Sequence, residues 1–205
     1  MMKYLDQYIE ALKFLTRFND DYRKQDPDFQ VLRKELLELQ VEKRRETYAR
    51  VARLIQTLAA EYVQSIPPEH AIDRPHTVLL GFWEAFQQNG FGKTFALNTT
   101  IGNFSYKGDP LYRQSKAGLK KLINQGIQPD QPLDVHMWLT LEDMTVIDPT
   151  LLGTLERRGL LKATDYSANG VLIWREDTPS DFVYEPILVD NDFAFRVDNI
   201  TAVSH

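Results

Sequence analysis

Cysteine is absent from all 205 residues, which removes disulfides, thiolate metal sites, iron–sulfur clusters and thiol nucleophiles together. Histidine is scarce. His70, His76, His136 and His205 include no pair at a helical i, i+4 step and none with a carboxylate at that step, so no metal centre is expected. Asp190-Asn191-Asp192 lacks the spaced oxygens and closing Glu of a calcium loop. Positive charge is also short, 24 Lys and Arg against 29 Asp and Glu. A surplus of cations is what phosphate neutralisation needs, so no nucleic-acid partner is expected.

No run approaches the roughly 18 apolar residues that cross a bilayer. Met1-Met2-Lys3-Tyr4-Leu5-Asp6 lacks the basic-then-apolar layout of a secretion signal. No membrane association is expected, and the cytoplasm is the expected compartment. Gly92-Lys93-Thr94 resembles the end of a phosphate loop, but the glycine that pattern needs five positions earlier is Gln87. No nucleotide or other cofactor is expected.

Hydrophobic residues at 43% and charged ones at 26% suit a globular chain with a real core. Leu5, Ile9, Leu12, Leu15 and Phe18 share one helical face over roughly residues 3–20. Asp26-Pro27 signals a helix start, and one long helix is predicted from there to about Ser65. Its stripe is Leu37, Val41, Tyr48, Val51, Ile55, Leu58 and Tyr62, interrupted by Glu42-Lys43-Arg44-Arg45-Glu46. Residues 1–66 are thus expected to form a helical hairpin. It must cover its apolar stripe with the rest of the chain or with a second copy, so a homodimer through the N-terminal helices is one expectation. Pro67 to Pro75 reads as a linker.

Residues 76–205 read as an α+β domain. Val78, Leu79, Phe82, Trp83 and Phe86 predict a helix closed by Asn89-Gly90, and a second is predicted from Asp109-Pro110 to Gly126. After residue 132 the period changes. Val135, Met137, Leu139 and Leu141 alternate with Asp134, His136, Trp138 and Thr140, which is a strand pattern. A turn at Glu142-Asp143-Met144 and a return strand at Thr145-Val146-Ile147 complete a β-hairpin. Asp148-Pro149 opens a short helix to about Arg158. Further strands are predicted at Val171–Trp174, Phe182–Val189 and Phe193–Val197, with turn formers at Asn169-Gly170 and Asp190-Asn191-Asp192. Helices first and an antiparallel sheet later define the α+β class.

The hairpin carries the chemistry. His136 and Asp148 lie at comparable separations either side of the turn centre at Asp143, so folding back brings them to neighbouring positions. An imidazole held by a carboxylate is the base–orienter half of a nucleophilic triad. The same residues allow a plain reading, a surface pair with Asp148-Pro149 starting a helix for capping reasons alone.

His136-x-Trp138, a turn, an apolar pair and Asp148-Pro149-Thr150 together resemble the His–Asp hairpin of the transglutaminase-like, papain-like cysteine enzymes. The resemblance spans Asp134 to Thr150. It implies a transglutaminase-like domain over 76–205 in which His136 is the general base, Asp148 its orienter and Trp138 a substrate-side residue. It also implies a nucleophilic Cys at a helix N-terminus upstream, and this chain has none. Three readings follow: a non-catalytic member that binds a protein or peptide, a serine-using hydrolase or acyltransferase on amide or ester bonds with Ser115 as candidate nucleophile, or a chain whose Cys has been replaced. A helical assembly or scaffold protein is a further alternative, resting on the long stripe.

Overall fold

The computed structural model describes residues 2–66, 75–126, 135–162 and 170–198. Helices α1 (Tyr4–Leu15), α2 (Asp20–Lys24), α3 (Phe29–Leu39) and α4 (Glu42–Ser65) come first, then α5 (Pro75–Gln88) and a 3-10 turn at Phe91–Lys93. Strands β1 (Leu97–Tyr106) and β2 (Asp109–Tyr112) precede α6 (Lys116–Gln125). They are followed by β3 (His136–Leu141), β4 (Val146–Asp148), α7 (Leu151–Arg157), β5 (Leu172–Trp174), β6 (Phe182–Val189) and α8 (Phe193–Asp198). The class is α+β, with one antiparallel sheet among the described residues. No helix among them is long and apolar enough to cross a membrane.

β1 is the organising strand. One of its edges pairs β6 from Thr100 to Tyr106. The other pairs β3 from Leu97 to Gly102 and then β2 from Phe104 to Tyr106. Two strands therefore meet end to end along one edge, with Asn103 at the break. β4 pairs β3, and β5 pairs β4.

Alternation along each strand sends side chains to two cores. Met137, Leu139, Leu141 and Ile147 join Ile55 and Ala59 of α4, Leu79 and Phe82 of α5, Leu119 of α6, and Phe193 and Val197 of α8. On the opposite face Trp138, Val146, Phe104 and Tyr184 meet Tyr4, Leu5, Tyr8 and Ile9 of α1, Leu36 of α3, and Leu151 and Leu155 of α7. Each fully buried aliphatic or aromatic side chain contributes about 1.5–3 kcal/mol, and helices cover both faces. α1 lies along β6. It does not pair with α4 as the arm of a simple hairpin.

Several expectations change. The long helix is two, α3 and α4, parted at Gln40 and at Val41, whose ψ of 148 is extended. The charged run offers no apolar contact there. α3 packs on α1 while α4 turns toward β4, β5 and α5. From Tyr48 onward the stripe faces the chain's own core, leaving Leu37 and Val41 exposed.

Asp109-Pro110 begins a strand, not a helix. Lys107 (φ 53) and Gly108 (φ 87) make the two-residue turn of a hairpin, and Pro110 sits on the short strand β2. The helix opens later, where Ser115 Oγ accepts the Gly118 amide at 3.0 Å. Phe193–Val197 is helical because Asp190 accepts the Asp192 amide and binds Arg196 at 2.7 Å, folding the segment into a turn. β1 was not anticipated. The linker lies outside the described residues except for Pro75, as do Asn169, His70 and His205.

Candidate functional site

The β-hairpin brings His136 and Asp148 together. Leu139 pairs Ile147 and Thr140 pairs Val146. Continued outward, that register sets Asp148 opposite Trp138, so His136 is its diagonal neighbour on the same face. His136 Nε2 lies 2.6 Å from Asp148 Oδ2. A carboxylate oxygen only accepts, so in a His–carboxylate pair of this geometry the proton of the bond sits on Nε2, and Nδ1 is the ring nitrogen turned away from Asp148.

Asp148 is held from several sides. Tyr184 Oη donates to Oδ2 at 2.9 Å. Oδ1 accepts the Thr150 and Leu151 amides at 3.1 and 2.9 Å and the Thr150 hydroxyl at 3.3 Å. The capping role and the orienting role therefore coexist in one side chain, each oxygen serving one of them. Burial pushes the Tyr184 hydroxyl well above its ordinary range, and the Asp148 charge beside it adds to the shift.

The pair is not on the surface. His136 is 3% exposed and Asp148 is fully buried. The imidazole stacks on Tyr112 at 5.1 Å between centroids and 21° between planes. Phe104 at 5.2 Å, Trp138 at 5.7 Å and Tyr184 at 6.1 Å complete its aromatic surroundings. Room for the packing comes from Gly102, opposite His136 in the ladder. A Cβ there would stand 2.1 Å from the Glu185 carbonyl oxygen and 2.8 Å from the Trp138 ring.

A second polar chain runs beside the first. Trp138 Nε1 donates to Tyr4 Oη at 2.7 Å, Tyr4 Oη and Thr140 Oγ1 are 2.7 Å apart, and Thr140 and Thr100 hydroxyls are 2.8 Å apart. Every member is buried. Trp138 is fully buried and presents no surface to a substrate.

A general base must reach the proton it removes, at about 2.6–3.2 Å or through one water. No hydroxyl among the described residues hydrogen-bonds to His136 Nδ1. Ser115 is exposed at the start of α6, its Oγ engaged with the Gly118 amide, and no hydrogen bond joins it to His136. Two cavities open beside the N-terminus of α1, of about 370 and 540 Å3, and neither is lined by His136 or Asp148. No group of three metal-ligating side chains gathers among the described residues.

Sequence reasoning missed Tyr184, Tyr112, Gly102 and Tyr4. Tyr184 carried a faint signal, since Phe182 and Tyr184 alternate with Val183 and Glu185 on a predicted strand. The fold and site define an α+β protein with a buried His–Asp–Tyr cluster at a broken strand edge. Comparison with known proteins found no family model, no curated protein and no solved structure that matches this chain.

Proposed function

We propose that the chain is a non-catalytic, Cys-less relative of the transglutaminase-like, papain-like proteins and works by binding a protein or peptide partner. The observation that carries the reading is the state of the imidazole. It is fixed by Asp148 as a catalytic histidine would be, yet it is packed under Tyr112 and no hydroxyl among the described residues hydrogen-bonds to its Nδ1. The remaining lone pairs of Asp148 are spent on Tyr184 and on the start of α7. Such an arrangement specifies the hairpin's geometry and leaves recognition as the task of the surrounding surface.

The test is turnover of amide and ester substrates by the purified chain, run beside His136→Ala. No turnover above the rate of that variant is the expected result. Hydrolysis or acyl transfer that disappears in His136→Ala would overturn the reading and make the pair a working dyad.

A further inference from the structure

Of the stripe expected to run from Leu37 to Tyr62, one end stays uncovered. Val31, Leu37 and Val41 are 51%, 48% and 49% exposed, and they make up half of the large hydrophobic side chains so exposed among the described residues. Scattered singly, such residues carry no message; three on one short helix and its end form a patch. α3 is also thinly anchored. Leu36 is its one buried residue, and Leu32 and Leu39 pack only partly buried against the core.

The outer face has an order. Val31, Lys34, Glu38 and Val41 follow one another at steps of three, four and three, and all four are exposed. Gln40 keeps an αR backbone, so Val41 continues the line past the last turn of α3. That spacing is the a–d seam along which two helices pair. Lys34 and Glu38 stand four residues apart, yet neither forms an ion pair among the described residues.

The pattern is self-complementary in one direction only. In an antiparallel twofold pairing, a positions meet d positions. Val31 then faces Val41 of the second copy and Lys34 faces Glu38, each contact made twice. A parallel pairing sets Lys34 on Lys34 and Glu38 on Glu38, which repel. Leu37 flanks the seam on one side, and Glu35 lies on the other rim, exposed to solvent that screens it.

We propose that the outer face of α3 joins two copies of this chain as an antiparallel, twofold pair. The surface is small for a specific interface, so the association is weak, with a Kd on the order of 100 μM. Neither His136 nor Asp148 lies on α3, so the pairing is independent of what that pair does.

The experiment is sedimentation equilibrium of the full chain from ~10 μM to ~1 mM at low ionic strength, where reversible dimerisation is expected. Lys34→Glu and Glu38→Lys each turn both attractive contacts repulsive, and each is expected to weaken the dimer about tenfold or more. Far-ultraviolet dichroism of these surface variants is expected to match the parent's. Combining the two swaps in one chain, or mixing the two single variants, restores opposite charges across the seam and is expected to return the parent's affinity. A monomer at ~1 mM, single swaps without effect, or a double swap that associates no better than the single ones would overturn the proposal.

Discussion

Tyr184 Oη and His136 Nε2 meet on a single oxygen, Asp148 Oδ2, at 2.9 and 2.6 Å, and all three residues are buried. Removing the shared acceptor strands two donors in an interior that cannot hydrate them. Asp148→Ala is therefore expected to lower the unfolding free energy by about 3–5 kcal/mol. Urea denaturation measures it. A loss below about 1 kcal/mol, within the range of exposed pairs, would show that the cluster does not hold the hairpin.

The buried tyrosines make the fold sensitive to base. Burial pushes the hydroxyls of Tyr4, Tyr8 and Tyr184 above their ordinary range near ~10. A raised value means the native state keeps protons that the unfolded chain gives up. The stabilisation is complete below pH ~10 and falls as pH climbs past it. Tyrosinate absorbance and far-ultraviolet dichroism are expected to change together in that window. Ionisation of all nine tyrosines before any loss of dichroism would contradict the burial.

Two left-handed residues should respond in opposite directions. Lys107 has φ 53 in the β1–β2 turn, next to Gly108. Asn tolerates that conformation, so Lys107→Asn is expected to stabilise by up to ~1 kcal/mol. Met144, at φ 68 in the β3–β4 turn, is only 6% exposed and packs in the α1-side core. Met144→Gly relieves about 1 kcal/mol of backbone cost but forfeits about 1.5–3 kcal/mol of burial. The net is a loss. Thermal midpoints of the two variants on opposite sides of the parent would bear this out.

The β3–β4 hairpin was legible because its alternation is clean and its turn centre lies at comparable separations from His136 and Asp148. β1 was not. Asn98, Thr99, Thr100, Gly102 and Asn103 give it a polar look, yet it is the strand that β2, β3 and β6 all pair. Its polar side chains are answered only by distant residues: Asn98 by Tyr8 and Asn191, Thr100 by Thr140, Asn103 by the Gln114 amide. No local period reports such partners. α8 was misread because Phe193, Phe195 and Val197 alternate like a strand, while the Asp190–Arg196 contact that winds the segment depends on the fold. At the site, the hairpin announced the His–Asp pair, but the aromatic roof comes from β2 and β6.

Ser115 offers a direct test of cap against nucleophile. Its Oγ accepts the Gly118 amide, so Ser115→Ala is expected to cost about 1 kcal/mol and Ser115→Asp almost nothing. Hydrolysis lost in both variants, with stability unchanged in Ser115→Ala, would reverse the assignment.

The last test concerns the cover over His136. Tyr112 ends β2, the short strand that abuts the start of β3, and its ring stacks on the imidazole. Arg158 lies over the same Tyr112 ring, 4.7 Å from its centroid, and reaches the Leu111 carbonyl at 3.4 Å. A stacked ring shields the imidazole, whose one hydrogen bond among the described residues is on Nε2 and leaves Nδ1 as the site a reagent would attack. In the native chain His136 is expected to resist acylation by diethylpyrocarbonate, scored by peptide mass. Tyr112→Ala should expose it and raise its modification rate about tenfold or more, the scale of one hydrogen-bond-sized opening free energy. Arg158→Ala, which loosens the cover without removing it, should fall between. A native His136 that reacts as fast as the Tyr112→Ala variant would mean that the imidazole already faces solvent, and the case for a closed, non-catalytic site would fail with it.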